Sequence, residues 1–234
     1  LTAFVRRSAA VAQAVVADND PQRISRNWKT PGTYDTAVVG AVAPNASRRG
    51  WTGFGAANYL TTGGYKSWFT AANLADQNDH SIFAWRSDNA SNDHYLLGTS
   101  RLGIGARQFG ATPRHRNGNT ANAITGACTR SDGLWVNTRR NAADYEVWGN
   151  ATASAPSGAS PSLLVTTTLA SGASQDSQLV IGMMNIGVGT ITAQSAMPSG
   201  AIIPAAGAGG GLTAPDIAAL NTAIYTYLNT LGRL

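Results

Sequence analysis

The stretch Leu212-Thr213-Ala214-Pro215-Asp216-Ile217-Ala218-Ala219-Leu220 opens an amphipathic helix that runs to the end of the chain. Thr213 and Asp216 stand three apart, as a capping box requires, and Pro215 falls in the first turn, where its missing N–H costs nothing. Ile217, Leu220, Ile224, Leu228 and Leu231 recur at spacings of three and four and draw one apolar stripe, which Gly232 terminates. Everything upstream has a different period. From Gly50 on, short runs alternate apolar and polar residues and are separated by turn residues, so one helix closes a chain that otherwise reads as β-sheet.

The strand readings follow from this pattern. Tyr34 to Val42 reads as one strand, and Trp51, Phe54, Tyr59 and Leu60 belong to a strand pair. His80 to Arg86 is apolar on both faces, as a strand covered on both sides would be. Tyr95 to Gly98, Leu102 to Phe109, Leu134 to Val136, Tyr145 to Trp148, Ser162 to Leu169, Gln178 to Met184 and Ile186 to Thr192 complete the set. Asn117-Gly118 and Asp132-Gly133 carry the signal of tight hairpin turns, whose central residues need positive φ. About ten short strands at this spacing predict a sandwich or jelly roll. Upstream, Val11, Val15 and Val16 suggest a short helix, and Pro21, Pro31 and Pro44 interrupt anything regular. The expected organisation is an N-terminal arm over 1–45, a sandwich over 46–204, and a Gly-rich link with a docked helix over 205–234.

Composition sets limits on chemistry. Charged residues make up 12% of the 234, against a usual share of about 25%. Only Lys29 and Lys66 are lysine and only Glu146 is glutamate, so the charges are almost all Arg and Asp. Arginine-rich surfaces suit fixed, forked contacts, and a GC-rich genome gives the same bias. Cys128 is alone, which rules out an intrachain disulfide and leaves a small buried thiol as its expected role. No run reaches the roughly 18 apolar residues of a membrane span. Arg6-Arg7 and the Ala-rich run after it match a signal peptide poorly, and an N-terminal arm is the better reading.

Glycoside hydrolysis needs two carboxylates across the sugar. Asp144 and Glu146 share one strand face, a solvated face being the plainer reading, and no Ser elbow or zinc spacing occurs, so no catalytic residue is assigned. The loops around Asp76, Asp79, Asp88 and Asp93 are oxygen-rich and admit calcium, although polar turns capped by their own side chains are the better reading; no other cofactor is expected. Arg101, Arg107, Arg114, Arg116, Arg130, Arg139 and Arg140 are opposed only by Asp132 within their stretch. Arg101, Arg107, Arg114, Arg116, Arg139 and Arg140 are read as a patch for an anionic partner: an acidic subunit, an anionic polysaccharide or, with least support, nucleic acid. A merely solvated basic face stays open beside these. Tyr65 and Trp68, in an uncharged loop apart from Lys66, are the candidates for stacking on a sugar ring.

Gly53-Phe54-Gly55-Ala56-Ala57-Asn58-Tyr59-Leu60, Tyr95-Leu96-Leu97-Gly98, Tyr145-Glu146-Val147-Trp148-Gly149-Asn150 and Gln178-Leu179-Val180-Ile181-Gly182 stand in an order that resembles concanavalin A-like, laminin-G-like jelly-roll domains. The Asn-Gly turn usual after the third landmark is inverted here. The Gly-rich run followed by a terminal helix resembles forms of this domain in tailed-bacteriophage structural proteins. The resemblance covers about residues 50–232. It implies an all-β antiparallel jelly-roll sandwich with an N-terminal extension and one C-terminal helix. It also implies a non-enzymatic virion protein, a capsid decoration or a tail or fibre component on the virion surface. Its partners would be other virion proteins or copies of itself, reached through the arm, and host surface polysaccharide. A free-standing lectin is the alternative, and a polysaccharide-degrading enzyme a weaker one.

Overall fold

The computed structural model describes residues 11–13, 37–45, 50–61, 78–89, 94–108, 112–117, 123–124, 128–150, 158–172, 177–230 and 232. Its strands are β1 (Val11–Gln13), β2 (Ala37–Val39), β3 (Ala43–Pro44), β4 (Trp51–Thr52), β5 (Tyr59–Thr61), β6 (His80–Arg86), β7 (Leu97–Gly98), β8 (Leu102–Gln108) and β9 (Thr112–Asn117). They continue as β10 (Ala123–Ile124), β11 (Gly133–Asn141), β12 (Asp144–Gly149), β13 (Ser162–Thr167), β14 (Val180–Ile181), β15 (Met184–Asn185), β16 (Ala193–Gln194) and β17 (Ala205–Gly209). One helix, α1 (Ala214–Thr230), follows.

Two antiparallel sheets face each other. The first runs β1-β17-β6-β11-β12-β13 and the second β10-β9-β8-β7-β14-β5-β2. Strand parity sorts the side chains of β6: Ile82 and Ala84 point between the sheets, whereas Phe83 and Trp85 point to the other side. Trp135, Ala206 and Ala208 join the inner layer from the first sheet, and Leu60, Leu97, Leu102, Ile104, Ala106 and Ile181 meet them from the second. The doubly apolar reading of His80 to Arg86 therefore has its reason, since α1 covers the outer side. Ile217, Leu220, Ile224 and Leu228 of α1 pack on Phe83, Trp85, Leu134 and Val136. Each of these four buried side chains contributes on the order of 2 kcal/mol.

The helix entry is fixed by side chains. The Thr138 hydroxyl donates to the Leu212 carbonyl at 3.1 Å and accepts from the Leu212 N–H at 2.7 Å. Asp216 accepts from the Thr213 N–H and hydroxyl at 3.0 and 2.6 Å, half of the expected capping box.

Several expectations are corrected. Residues 205–209, read as part of a Gly-rich link, form β17, which lies between β1 and β6, one strand in from the edge of the first sheet. Its small side chains are required there: Ala205 pairs with Trp85 and Gly207 with Phe83, so the bulky neighbours fill the layer beneath the helix. Val11–Gln13 is a strand on β17, not a helix, and Ala37–Val39 pairs with β5, so the described parts of the expected arm belong to the sandwich. Asp132-Gly133 is no hairpin, since β11 pairs with β6 and β12; the tight connection is instead Asn141 to Asp144. Ile186 to Thr192 is the loop between β15 and β16, closed by the Ile186 N–H donating to the Thr192 carbonyl and braced by Asn185. β9 ends at Asn117 and pairs antiparallel with β10, while Gly118 of the expected Asn117-Gly118 turn lies outside the described residues.

Candidate anion-binding face

The β8–β9 pair carries the site. Ile104 of β8 pairs with His115 of β9, and both are fully buried between the sheets. The alternate positions must then face outward. They pair Gly103 with Arg116 and Gly105 with Arg114, so two arginines stand on the outer face beside two glycines. Arg114 and Arg116 are half-buried, and two residues of extended strand set them about 7 Å apart. The glycines are not free positions, because a Cβ on Gly103 would lie 3.0 Å from the Tyr95 ring. Tyr95 itself is buried and held by its N–H to the Ser195 carbonyl.

Arg116 is anchored by its Nη1, which donates to the Ser100 carbonyl at 3.0 Å. Arg101 sits in the neighbouring β7–β8 turn, where its N–H and that of Leu102 donate to the Thr99 hydroxyl. The buried Nε–H of Arg101 has no hydrogen-bond acceptor among the described residues. From inside, Asn137 of β11 crosses the sandwich and donates through Nδ2 to the carbonyls of Gly103 and Arg116, at 2.7 and 3.1 Å. His115 stacks on Trp135 with ring centroids 5.7 Å apart. Burial lowers the His115 pKa to about 3, with Asn137 opposing, so the ring is neutral and adds no charge behind the arginines. Between Asp93 and Asp132 the chain has no acidic residue.

The other expected members lie elsewhere. Arg139 is fully buried: it donates to the carbonyls of Ala142 and Leu169 at 2.7 and 2.8 Å and sits over the Tyr145 ring. Burial pushes its pKa down and that of Tyr145 up. Arg140 donates to Asp144 at 2.7 Å and to Glu146 at 2.5 Å, and the Asp144 bond leads the causes that raise its pKa. Both leave the patch: one is structural and the other is neutralised. The Arg107 side chain lies outside the described residues.

Acidic residues are held by protein partners. Arg86 and Asp88 form a fork at 3.1 and 2.5 Å, and Asp88 also accepts the Ile202 N–H. Arg130 and Asp132 repeat the fork at 2.8 and 2.7 Å, and that bond raises the Arg130 pKa. These identical Arg-Ser-Asp tripeptides sit where β6 ends and β11 begins, with Asn89 bonded to the Ser131 N–H between them. Asp88 is therefore an anchor, which corrects its reading as a free calcium ligand. Asp79 accepts the Gly211 N–H at 2.6 Å. Asp76, Asp93, Tyr65 and Trp68 lie outside the described residues, and no group of three or more His, Cys, Asp or Glu side chains converges among the described ones. Cys128 is buried, as expected, and its thiol donates to the Arg130 carbonyl. No helix among the described residues is long and apolar enough to cross a membrane.

Asn137, Ser100 and His115 were not singled out from sequence. The available signal was Asn137, a polar residue at an inward position directly after Leu134-Trp135-Val136.

No protein-family model and no curated protein matches the chain. Among solved structures, the chain is similar to domain 4 of the extracellular GH43 arabinanase AbnA from Geobacillus stearothermophilus, determined in complex with arabinotriose. Identity is 11% and the TM-score 0.50, covering 91% of this chain and 99% of that one. It is also similar to the crystal structure of HCR/D-Sa-GBL1/C, at 12% identity and a TM-score of 0.54 over 94% of this chain. The match covers 53% of that structure, so the chain spans about half its length. The fold is thus an antiparallel β-sandwich of the jelly-roll kind.

Proposed function

We propose that this chain is a non-enzymatic, lectin-like glycan-binding module, displayed on a virion surface as a capsid decoration or a tail or fibre component. The observation that carries the binding reading is the match, over nearly the whole chain, to a β-sandwich domain seen with a bound arabino-oligosaccharide. The engaged carboxylates favour binding over hydrolysis, since Asp144 and Glu146 both neutralise Arg140 and Asp88 and Asp132 are forked with Arg86 and Arg130. The virion part rests on the order of strand motifs followed by a terminal helix. A free-standing lectin is the second reading, and it gains from β1, β2 and β3 being built into the domain rather than projecting as an arm.

Binding to an immobilised polysaccharide panel, read by biolayer interferometry, tests the module. Saturable, competable binding to at least one glycan is expected, and silence across neutral and acidic panels would overturn it. Sedimentation of the chain with phage particles separates the two settings: co-sedimentation supports the virion reading, and a free monomer supports the second.

A further inference from the structure

We propose that the outer face of β12–β13, beside α1, binds a neutral oligosaccharide, with Trp148 and Leu163 against a sugar ring and Arg140, Asp144 and Glu146 bonding its hydroxyls; this rests on the glycan-binding reading above. α1 covers only part of the outer side of the first sheet, packing on Phe83, Trp85, Leu134, Val136 and Ala205 of β6, β11 and β17. The strip beyond it is floored by every second residue of β12, namely Asp144, Glu146 and Trp148. Trp148 lies opposite Leu163 of β13, and Glu146 opposite Thr166. Trp148 is half-buried, Thr166 is exposed and Leu163 is 44% exposed, so an aromatic and an aliphatic side chain stand side by side at the surface. The end of the strip next to Trp148 is closed by the segment leading into β13. Asn221 of α1 donates to the carbonyls of Gly158 and Ala159 at 3.1 and 3.2 Å, and a Cβ on Gly158 would lie 2.9 Å from the Tyr225 ring.

The polar groups of the strip are ordered by one another. Glu146 accepts the Trp148 indole N–H at 2.9 Å and Arg140 Nη2 at 2.5 Å, and Asp144 accepts Arg140 Nε at 2.7 Å. This series fixes the indole and both carboxylates, so little freedom remains to be lost on binding. All three charged side chains stay partly open to solvent. Each carboxylate oxygen keeps a lone pair, and Arg140 Nη1 makes no hydrogen bond among the described residues, so the strip offers acceptors and a donor to hydroxyl groups. An apolar surface with a few placed polar groups is the usual make-up of a small-ligand site. The sign selects against acidic sugars. One guanidinium faces two carboxylates, and Asp79 stands nearby, bonded to the Gly211 N–H where the Arg140 stem passes. The negative face of an indole suits the C–H side of an uncharged sugar ring.

The experiment titrates the full chain by calorimetry with arabinan, dextran and galactomannan as neutral probes and polygalacturonate as the acidic one, each at low and high salt. The expected result is binding to a neutral glycan that changes little with salt and falls about tenfold or more in Trp148→Phe, which loses the larger ring and the bond to Glu146. Leu163→Asp sits at an exposed edge position that tolerates charge, so it serves if the tryptophan variant does not fold, and the same loss is expected. Arg140→Lys keeps the charge and loses the fork, and its affinity should fall between. Glycan binding unmoved by all three variants would overturn this site and leave the lectin reading standing. Binding to polygalacturonate alone, lost at high salt, would overturn it as well. So would self-association that Leu163→Asp abolishes with glycan affinity unchanged, since the strip would then be a contact between copies. Binding to no glycan of any kind removes both readings.

Discussion

His115 is sealed inside the sandwich against Trp135, and its pKa is lowered from 6.5 to about 3 by burial. In the unfolded chain the same ring takes up a proton below about pH 6.5. The folded state does not follow until pH approaches 3, so between those limits the unfolded state binds the extra proton. Stability is therefore full above pH 6.5 and falls as the pH drops, by up to about 1.4 kcal/mol per pH unit for this one group. His115→Phe keeps an aromatic ring on Trp135 and removes the proton site. Urea midpoints measured from pH 7 to 4.5 should fall less steeply in the variant than in the parent chain; equal slopes would mean that His115 ionises in place. Residue-level reading from sequence succeeded for Cys128 and failed for Arg139-Arg140. In a strand, adjacent side chains point to opposite faces, so the pair could never have shared one patch. Which of the two turns inward depends on Tyr145 and the Leu169 carbonyl, partners supplied by other strands.

At the scale of elements, the junction before α1 depends on one hydroxyl. Thr138→Val keeps the shape and removes both bonds to Leu212, leaving a buried N–H and C=O without their partner. A loss of about 2 kcal/mol is expected, read as a lower urea midpoint with an unchanged m-value. Far-UV circular dichroism of the folded variant should retain its helix signal, because Ile217, Leu220, Ile224 and Leu228 still hold α1 to the sheet. The helix was legible because its period, proline and terminal glycine agree. β6 was legible for the same reason, with period two and bulky alternation. β17 was not: Ala205-Ala206-Gly207-Ala208-Gly209 has little strand preference of its own, and only the neighbouring Phe83 and Trp85 make small residues the right ones. The candidate site was half legible. Its arginines stood out by charge, whereas the register that faces Arg114 and Arg116 outward, and the Asn137 brace behind them, exist only once two sheets are opposed.

At the scale of the molecule, the sandwich is stitched by pairs far apart in sequence, such as Ala206 with Ala84 and Ala12 with Gly207. Folding should therefore be slow for a chain of this size, in the millisecond-to-second range or longer, as non-local β pairing dictates. A chain stopped after Pro204 lacks β17 and α1, and with them the bridge from β1 to β6 and the cover over Phe83 and Trp85. It should show no cooperative melting transition and should bind hydrophobic dye. A sharp transition near that of the full chain would contradict the central place given to β17.

The position of β17 also bears on birth at the ribosome. Translation runs from one end, yet the strand that belongs between β1 and β6 leaves the exit tunnel after every other described strand. Until then the emerging polypeptide holds a gap in its first sheet, with two strand edges and an aromatic layer exposed to whatever is nearby. Chaperone occupancy on nascent chains should accordingly persist until residues 205–209 have cleared the tunnel, and drop once they dock.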